Sequence, residues 1–226
     1  SLPVFFFFFN GTISKTKQLS NLITNYDTLL RSESFFKLFS PKFVLHFGRT
    51  LTSPKLDVFY SVVRPKGIII NRFADVHDPT RKFKVLKANE EFFLEYLSYS
   101  ADVKQNDFSP HLKALKFLDY EIEKLKPEIF SISKKINETG LLLNIIDSIQ
   151  PNSNLMIGNS IPIRDLDFFS SAVHKNINVF QNRGASGIDG ITSTALGICS
   201  QSRNPTYLVT GDLSFYYDIN SLLIAK

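Results

Sequence analysis

Short, continuously apolar runs alternate with stretches of helical periodicity in the first part of the chain. The runs at 5–9, 43–47 and 68–70 are predicted strands, whereas residues 19–30 and 55–63 have the spacing of helices. Continuously apolar runs are typical of strands that are buried on both faces of a parallel sheet. Strands that alternate with helices at this spacing indicate βαβ units, so this part of the chain is predicted to be α/β with a largely parallel sheet.

The middle of the chain has a different pattern. Residues 90–98 and 111–136 are charged and have helical spacing, and Pro127 is expected to interrupt the second of these helices. The segment 102–109 is mostly polar and is followed by Pro110, which is typical of a linker between two domains.

The alternation of strands and helices returns after Glu138. Predicted strands at 154–158, 177–180 and 206–210 alternate with predicted helices at 143–149, from about residue 165 and up to Cys199. Each strand leads into small or polar residues, namely Asn159-Ser160, the segment Asn182–Gly190 and Gly211-Asp212. A single turn of this kind would not indicate a binding site, whereas three in succession favour one.

These strand ends are candidates for an anion-binding site. Ligands of open α/β sheets bind beyond the carboxyl ends of the strands, where free N–H groups at helix N-termini favour phosphate. Glycines at the turns allow the backbone to approach a ligand closely. The alternative is that the glycines only make tight turns, and the pattern by itself leaves both interpretations open.

Asp212 is the position for which the sequence suggests the most specific role. A carboxylate directly after Gly211, at the end of an apolar strand, is expected at the sheet edge, where burial without a partner would be unfavourable. It is either the N-cap of the next helix or a ligand of Mg²⁺, which binds carboxylate oxygens together with phosphate oxygens.

Composition narrows the classes of function. The 226 residues are 43% hydrophobic, have a formal net charge of +5 and a sequence pI of about 9.2, and include one cysteine, Cys199. Basic residues are spread along the chain, and the clusters at 81–84 and 134–135 are too short for a nucleic-acid-binding arm. For this reason no nucleic-acid partner is expected. One cysteine excludes an internal disulfide. The apolar run at 5–9 is too short to span a bilayer, so no membrane span is expected either.

The three strand ends together resemble a known family. The blocks are Met156-Ile157-Gly158-Asn159-Ser160-Ile161-Pro162-Ile163-Arg164-Asp165, then Asn182-Arg183-Gly184-Ala185-Ser186-Gly187-Ile188-Asp189-Gly190, then Gly211-Asp212-Leu213-Ser214-Phe215 with Asp218 and Asn220. In this order and at these separations they are similar to 2-succinyl-5-enolpyruvyl-6-hydroxy-3-cyclohexene-1-carboxylate synthases. The resemblance is clearest over 152–226 and looser before it, at Tyr26-Asp27, Phe47-Gly48 and Asp78-Pro79.

The resemblance implies a fold and a domain organisation. The expected fold is α/β of the thiamine-diphosphate-enzyme type, with parallel sheets flanked by helices and truncated at both ends. Residues 1–100 would be part of the family's central domain, 101–136 a linker with connecting helices, and 137–226 the first part of its diphosphate-binding domain.

The resemblance also implies an activity. Enzymes of this family use thiamine diphosphate and Mg²⁺ (or Mn²⁺) to decarboxylate 2-oxoglutarate and add the resulting carbanion to isochorismate, in menaquinone and phylloquinone biosynthesis. Their site lies between subunits, which implies a homodimer or a higher homo-oligomer. The expected location is the bacterial cytoplasm or the plastid.

Individual roles follow from the resemblance only where the residues match. Asp212 is expected to bind the metal, with Gly211, Leu213 and Ser214 at the diphosphate and Ile188 beneath the thiazolium ring. The expected substrate-binding residues are Ser160, Arg164, Arg183 and Lys55. Arginine suits carboxylate substrates because its guanidinium group binds them in a bidentate manner.

Some parts of the family pattern differ or are missing. Thr52-Ser53-Pro54-Lys55 shifts the expected lysine by one position, which weakens the assignment of Lys55. The second metal ligand, an Asn some 25–30 residues beyond Asp212 in the family, is not reached before Lys226, and the activating Glu of another domain is also missing. No catalytic residue is therefore expected in this chain, and it is expected to be inactive alone.

Two further hypotheses belong to other classes. The chain could be a non-catalytic split or decayed remnant that keeps the fold and a weak anion site, or an unrelated α/β binding module. The coding sequence on either side distinguishes the synthase from the remnant, because a synthase requires the missing Glu and Asn in one continuous reading frame.

Overall fold

The computed structural model describes residues 4–5, 12–13, 21–48, 53–73, 78, 81–100, 109–132, 137–169, 175–182 and 186–225. The chain divides into two compact units. The first contains the described residues of Tyr26–Leu118, and the second contains those of Val4–Asn25 and Asp119–Lys226.

The strands are β1 (Val4–Phe5), β2 (Thr12–Ile13), β3 (Leu22–Ile23), β4 (Phe43–Phe47), β5 (Lys66–Ile70), β6 (Lys84–Leu86), β7 (Ser153–Ile157), β8 (Ile177–Gln181) and β9 (Thr206–Val209). The helices are α1 (Tyr26–Leu29), α2 (Glu33–Leu38), α3 (Pro54–Val63), α4 (Glu90–Ser100), α5 (Ser109–Ile132), α6 (Glu138–Ser148), α7 (Ile161–Phe169), α8 (Ile191–Gln201) and α9 (Asp212–Tyr217), followed by a 3₁₀ helix at Ile219–Ile224.

Parallel pairing dominates the sheets, as the sequence predicted. In the first unit, β4, β5 and β6 are parallel neighbours in that order. In the second unit the order is β2-β8-β7-β9, where only β2 is antiparallel, and β1 pairs with β3 in a separate parallel pair. A helix lies between β4 and β5 in the first unit, and α7 and α8 separate β7, β8 and β9 in the second, so both units are α/β.

The strand β7 lies at the centre of the second unit and is buried along its whole length. Successive side chains of a strand point to opposite faces. Leu155 and Ile157 pack with residues of α6 and α7 on one face, and Met156 packs with Ile191 and Ala195 of α8 on the other. Helices therefore cover both faces of the sheet at this strand, which explains why three apolar residues, Leu155–Ile157, follow one another in it.

The first unit is held by a capped helix and an aromatic cluster. Ser53 is the N-cap of α3, and its hydroxyl oxygen accepts a hydrogen bond from the backbone N–H of Leu56 at 3.3 Å. Ring contacts then link α2, α3 and the residue before β6, with centroid distances of 5.2 Å for Phe36–Phe59 and for Tyr60–Phe83. Burial raises the pKa of Tyr60 above its ordinary value, and the nearby Asp57 and Asp78 carboxylates add to this effect.

The predicted helix at 19–30 is confirmed only at Tyr26–Leu29 and is wrong at Leu22–Ile23, which form β3. The reason is a contact remote in sequence, since a carboxylate oxygen of Asp119 accepts hydrogen bonds from the backbone N–H groups of Thr24 (3.0 Å) and Asn25 (2.8 Å). These groups are then satisfied without a helix. Residues 19–20 lie outside the described residues.

The predicted interruption at Pro127 is also wrong, because α5 continues through it to Ile132. Contacts on both sides hold the helix in place. Lys126 Nζ donates to a carboxylate oxygen of Glu123 at 2.9 Å and to the carbonyl of Phe169 at 2.9 Å, and the rings of Phe130 and Phe169 meet edge to face.

Two helices begin earlier than predicted. The helix α6 begins at Glu138 because Asn137 caps it, accepting a hydrogen bond from the Gly140 N–H. The helix α7 begins at Ile161 rather than near Asp165, which brings Ile163 and Leu166 onto one buried face. Predictions for 6–9, 102–108 and 133–136 lie outside the described residues.

The elements α2, β2 and β6 were not predicted. The strand β6 carries Lys84 within a basic cluster, and all three of its residues are exposed, so it lacks the apolar pattern of a buried strand. In the part of the chain that the structure describes, no helix is both long and apolar enough to cross a membrane.

Candidate functional site at the carboxyl edge of the second sheet

The carboxyl ends of β7, β8 and β9 lie at one edge of the second sheet. The central strand β7 pairs in parallel with β8 on one side and β9 on the other, and the carboxyl ends of parallel neighbours share an edge. The residues that follow these strands, Gly158–Ser160, Asn182 and Gly211-Asp212, therefore meet there, as the sequence predicted. Gly184, which was expected beside them, lies outside the described residues.

Gly158 allows the ends of β7 and β9 to approach closely. Its N–H donates to the carbonyl of Val209 at 2.7 Å. A Cβ atom at this position would lie 3.1 Å from Thr210 Oγ1 and 3.3 Å from the Val209 carbonyl oxygen. Only glycine leaves β7 and β9 this close without displacement of the neighbouring residues.

Ser160 has an unusual backbone conformation for a residue other than glycine. Its φ is 72°, in the left-handed region, which costs about 1 kcal/mol or more for a residue with a Cβ. Its side chain is exposed at the start of α7. Backbone strain of this kind is concentrated at functional sites, and Ser160 is one of the expected substrate-binding residues.

Asp212 is the first residue of α9, and Gly211 is its N-cap. The interpretation of Asp212 as the N-cap is therefore wrong. The carboxylate is exposed rather than buried, and its Oδ1 accepts one hydrogen bond, from the Leu213 N–H at 2.8 Å. A carboxylate has about four acceptor sites, so this contact leaves acceptor capacity for a cation.

The neighbours of Asp212 leave room for a ligand. A Cβ atom at Gly211 would meet no atom within 4 Å. Leu213 is exposed and Ser214 is half-buried at the start of α9. The hydroxyl oxygen of Thr210 is buried and has no hydrogen-bond partner, which is unfavourable unless a further group satisfies it.

The segment before α8 contributes Ile188, whose side chain is 45% exposed. Such exposure of an apolar side chain at this edge suits contact with an apolar part of a ligand. Asn182, at the end of β8, donates to the hydroxyl of Thr194 at 3.1 Å and so joins the strand end to α8.

Asp218 is a residue of this region whose role the sequence analysis missed. Its carboxylate accepts hydrogen bonds from the Ser193 N–H at 2.7 Å and from the Ser193 hydroxyl at 2.9 Å. It therefore caps α8 from 25 residues away. The signal in the sequence was Gly190, directly before an apolar helix. A glycine has no side chain that could cap the helix, so its N-terminus requires an acceptor from elsewhere in the chain.

The expected substrate-binding residues are only partly brought together. Arg164 is exposed in the first turn of α7, four residues after Ser160. Arg183 lies outside the described residues. Lys55 belongs to the first unit, where it is the second residue of α3 and is half-buried.

The donor set suits a hard cation with phosphate as its co-ligand. Across the described ranges, no three His, Cys, Asp or Glu side chains cluster as a metal site. Mg²⁺ does not need such a cluster, because it is commonly held by one or two carboxylates together with water and phosphate oxygens. The exposed carboxylate of Asp212 and the open space beside Gly211 fit that mode of binding.

Several curated relatives named 2-succinyl-5-enolpyruvyl-6-hydroxy-3-cyclohexene-1-carboxylate synthase are similar to this chain along most of its length. That of Desulfitobacterium hafniense is 33% identical over 204 residues, which is 89% of this chain and 36% of the relative. That of Geobacillus kaustophilus is 35% identical over 222 residues, 96% of this chain and 36% of the relative. That of Synechocystis is 31% identical over 206 residues, which is 89% of this chain and 34% of the relative.

The chain spans about a third of the length of these relatives. No family model matches it. Along about nine-tenths of its own length, the chain is a partial match to the 2-succinyl-5-enolpyruvyl-6-hydroxy-3-cyclohexene-1-carboxylate synthase family.

Proposed function

We propose that this chain supplies the diphosphate- and metal-binding half of the cofactor site of a thiamine-diphosphate-dependent synthase. The reaction proposed for the whole enzyme is decarboxylation of 2-oxoglutarate and addition of the resulting carbanion to isochorismate, in menaquinone or phylloquinone biosynthesis. The observation that carries the proposal is the common edge at which Gly158–Ser160 and Gly211-Asp212 follow parallel strands.

The proposed roles of the residues follow from their positions. Asp212 would bind Mg²⁺ or Mn²⁺ through its exposed carboxylate, and Gly211, Leu213 and Ser214 would contact the diphosphate at the start of α9. Ile188 would support the thiazolium ring with its exposed side chain. When bound, thiamine diphosphate supplies the electron sink for the decarboxylation.

Substrate recognition is proposed for the basic and polar side chains. Both substrates are carboxylates, so Arg164 and Arg183 would bind them through paired hydrogen bonds, with Ser160 as a further polar contact. Lys55, which is shifted by one position from the lysine of the family pattern, is proposed as a further substrate-binding residue. The proposal includes the thiamine-diphosphate-enzyme type of α/β fold, a homo-oligomer of at least two subunits, and domains at 1–100 and 137–226 joined by 101–136.

The alternative is a non-catalytic remnant that keeps the fold and a weak anion site. Similarity that extends along 89% of the chain or more does not favour it. The coding sequence on either side separates the two, because a continuous frame with the activating Glu and the second metal-binding Asn supports the synthase and stop codons support the remnant.

The binding part of the proposal is testable on the chain itself. Thiamine diphosphate is titrated into ¹⁵N-labelled protein with Mg²⁺ or with a chelator, and amide resonances are followed. We expect shifts at Gly211, Leu213 and Ser214 that require Mg²⁺, with no such shifts for α4, which lies in the first unit. Shifts that are equal without Mg²⁺ would argue for a simple anion site.

A further inference from the structure

The start of α8 depends on a residue from elsewhere in the chain. The first N–H groups of a helix have no intrahelical acceptor and are normally satisfied by the side chain of the N-cap residue. The N-cap of α8 is Gly190, at φ 71°, which makes no side-chain hydrogen bond. The carboxylate of Asp218 replaces that missing cap through its two hydrogen bonds to Ser193. Its negative charge also interacts favourably with the positive end of the helix dipole.

The backbone of Asp218 is itself fixed on both sides. Its N–H donates to the carbonyl of Phe215 at 3.3 Å, at the end of α9. Its carbonyl accepts hydrogen bonds from the Ser221 N–H at 3.1 Å and the Ser221 hydroxyl at 2.6 Å, at the start of the 3₁₀ helix. The carboxylate therefore joins the end of α9 firmly to the start of α8.

Apolar packing does little to hold α9. None of its six residues is buried, and Leu213, Tyr216 and Tyr217 are between 68% and 75% exposed. Burial of apolar area is the usual force that fixes a helix, at about 25 cal/mol per Å², and α9 makes little use of it. The charge-assisted hydrogen bonds of Asp218, which are about twice as strong as neutral ones, are correspondingly important.

We infer that Asp218 is a positioning residue that sets the place of Asp212 relative to the segment before α8. Asp212 lies at the other end of the same short helix α9, about 9 Å along its axis at 1.5 Å per residue. Ile188 precedes α8 by three positions. The Asp218–Ser193 contact thus holds the proposed metal ligand and the proposed thiazolium support in one arrangement. This inference rests on the proposed function of both residues.

The test measures how strongly Mg²⁺ improves binding of thiamine diphosphate, in wild type, Asp218→Ala, Asp218→Asn and Ser193→Ala. The ratio of the apparent dissociation constants without and with Mg²⁺ reports on Asp212, whereas general destabilisation changes the melting temperature and leaves that ratio unchanged. We expect the ratio to fall at least threefold in Asp218→Ala. We expect a smaller fall in Asp218→Asn, whose amide oxygen can still accept from the Ser193 N–H. In an Asp212→Asn background, Asp218→Ala should change the ratio no further.

The control is Asp147→Asn, which makes the same change of charge on the exposed surface of α6 in the same unit and should keep the wild-type ratio. A wild-type ratio in a folded Asp218→Ala protein overturns the inference and leaves the proposed function standing. Wild type that binds no thiamine diphosphate with Mg²⁺ overturns the proposed function, and the inference with it. If Asp218→Ala does not fold, a wild-type ratio in both Asp218→Asn and Ser193→Ala overturns the inference.

Discussion

The side-chain amide of Asn159 donates a hydrogen bond to the backbone carbonyl of Gly187, with 2.9 Å between Nδ2 and the oxygen. This contact joins the turn after β7 to the segment before α8, 28 residues further along the chain. The other side-chain atom, Oδ1, is buried and has no hydrogen-bond partner. Asn159 is thus a structural link between two of the strand ends that form the candidate site.

Asn159→Asp should therefore destabilise the protein more than an exposed substitution of the same kind. A carboxylate oxygen would face the Gly187 carbonyl in place of a donor, which we expect to reduce the free energy of unfolding by about 1–3 kcal/mol. Urea denaturation at neutral pH measures this change in the free energy of unfolding. The matched control is Asn144→Asp on the exposed surface of α6, which should stay within about 0.5 kcal/mol of wild type. Equal stabilities of the two variants would contradict the role of Asn159.

Asp212→Asn should weaken binding of thiamine diphosphate. The substitution keeps the size of the side chain and removes the charge that Mg²⁺ favours, so we expect a loss of about 1.5–3 kcal/mol, which is tenfold or more in dissociation constant. Excess Mg²⁺ should partly restore affinity. Titration of wild type and variant at two Mg²⁺ concentrations measures both effects, and equal affinities at both concentrations would remove Asp212 as the metal ligand.

The chain alone should show no synthase turnover. The family resemblance implies that catalysis also requires an activating Glu and a second metal-binding Asn, which it matches to no residue of this chain, and groups that act as a unit lose activity together. The assay follows consumption of 2-oxoglutarate with isochorismate, thiamine diphosphate and Mg²⁺ present. Turnover above a reaction without protein would show that this chain contains a complete active site.

Asp119→Ala should destabilise the second unit. The substitution leaves the backbone N–H groups of Thr24 and Asn25 without their acceptor, and Asn25 is fully buried. At about 1–3 kcal/mol for each unsatisfied group, we expect a loss of about 2–4 kcal/mol in urea denaturation. Glu121→Ala, two residues away, removes an exposed ion pair with Lys124 and should change stability by less than about 1 kcal/mol. Similar losses in both variants would refute the role of Asp119.

Two glycines of one helix should respond in opposite directions to alanine. Gly190 has a φ of 71°, so Gly190→Ala should cost about 1–2 kcal/mol because a Cβ is strained in that conformation. Gly197 lies inside α8, where a Cβ would meet no atom within 4 Å, so Gly197→Ala should stabilise by about 0.5–1 kcal/mol. Thermal melts of both variants provide the comparison, and stabilisation by Gly190→Ala would contradict the left-handed conformation.

Local pattern was sufficient for the buried strands and for the edge at which the candidate site lies. The apolar residues of β7 follow one another because helices cover both faces of this strand, and burial of that kind selects continuous apolar residues. The runs at β4, β5, β8 and β9 were also predicted as strands from their apolar residues. Parallel order then brings the carboxyl ends of β7, β8 and β9 together. For this reason the sequence alone was sufficient to predict that Ser160 and Asp212 lie at one edge of the sheet.

Only the tertiary structure decided which polar groups hold these elements in place. The backbone that follows the strand Leu22–Ile23 is held by Asp119, whose carboxylate lies 95 residues from Thr24. The helix α8 is capped by Asp218 rather than by a residue beside it. The sequence alone determined the apolar strands because burial leaves a periodic trace in neighbouring residues. A hydrogen bond between residues far apart in the chain leaves no such trace, since its two partners are brought together only when the whole unit folds.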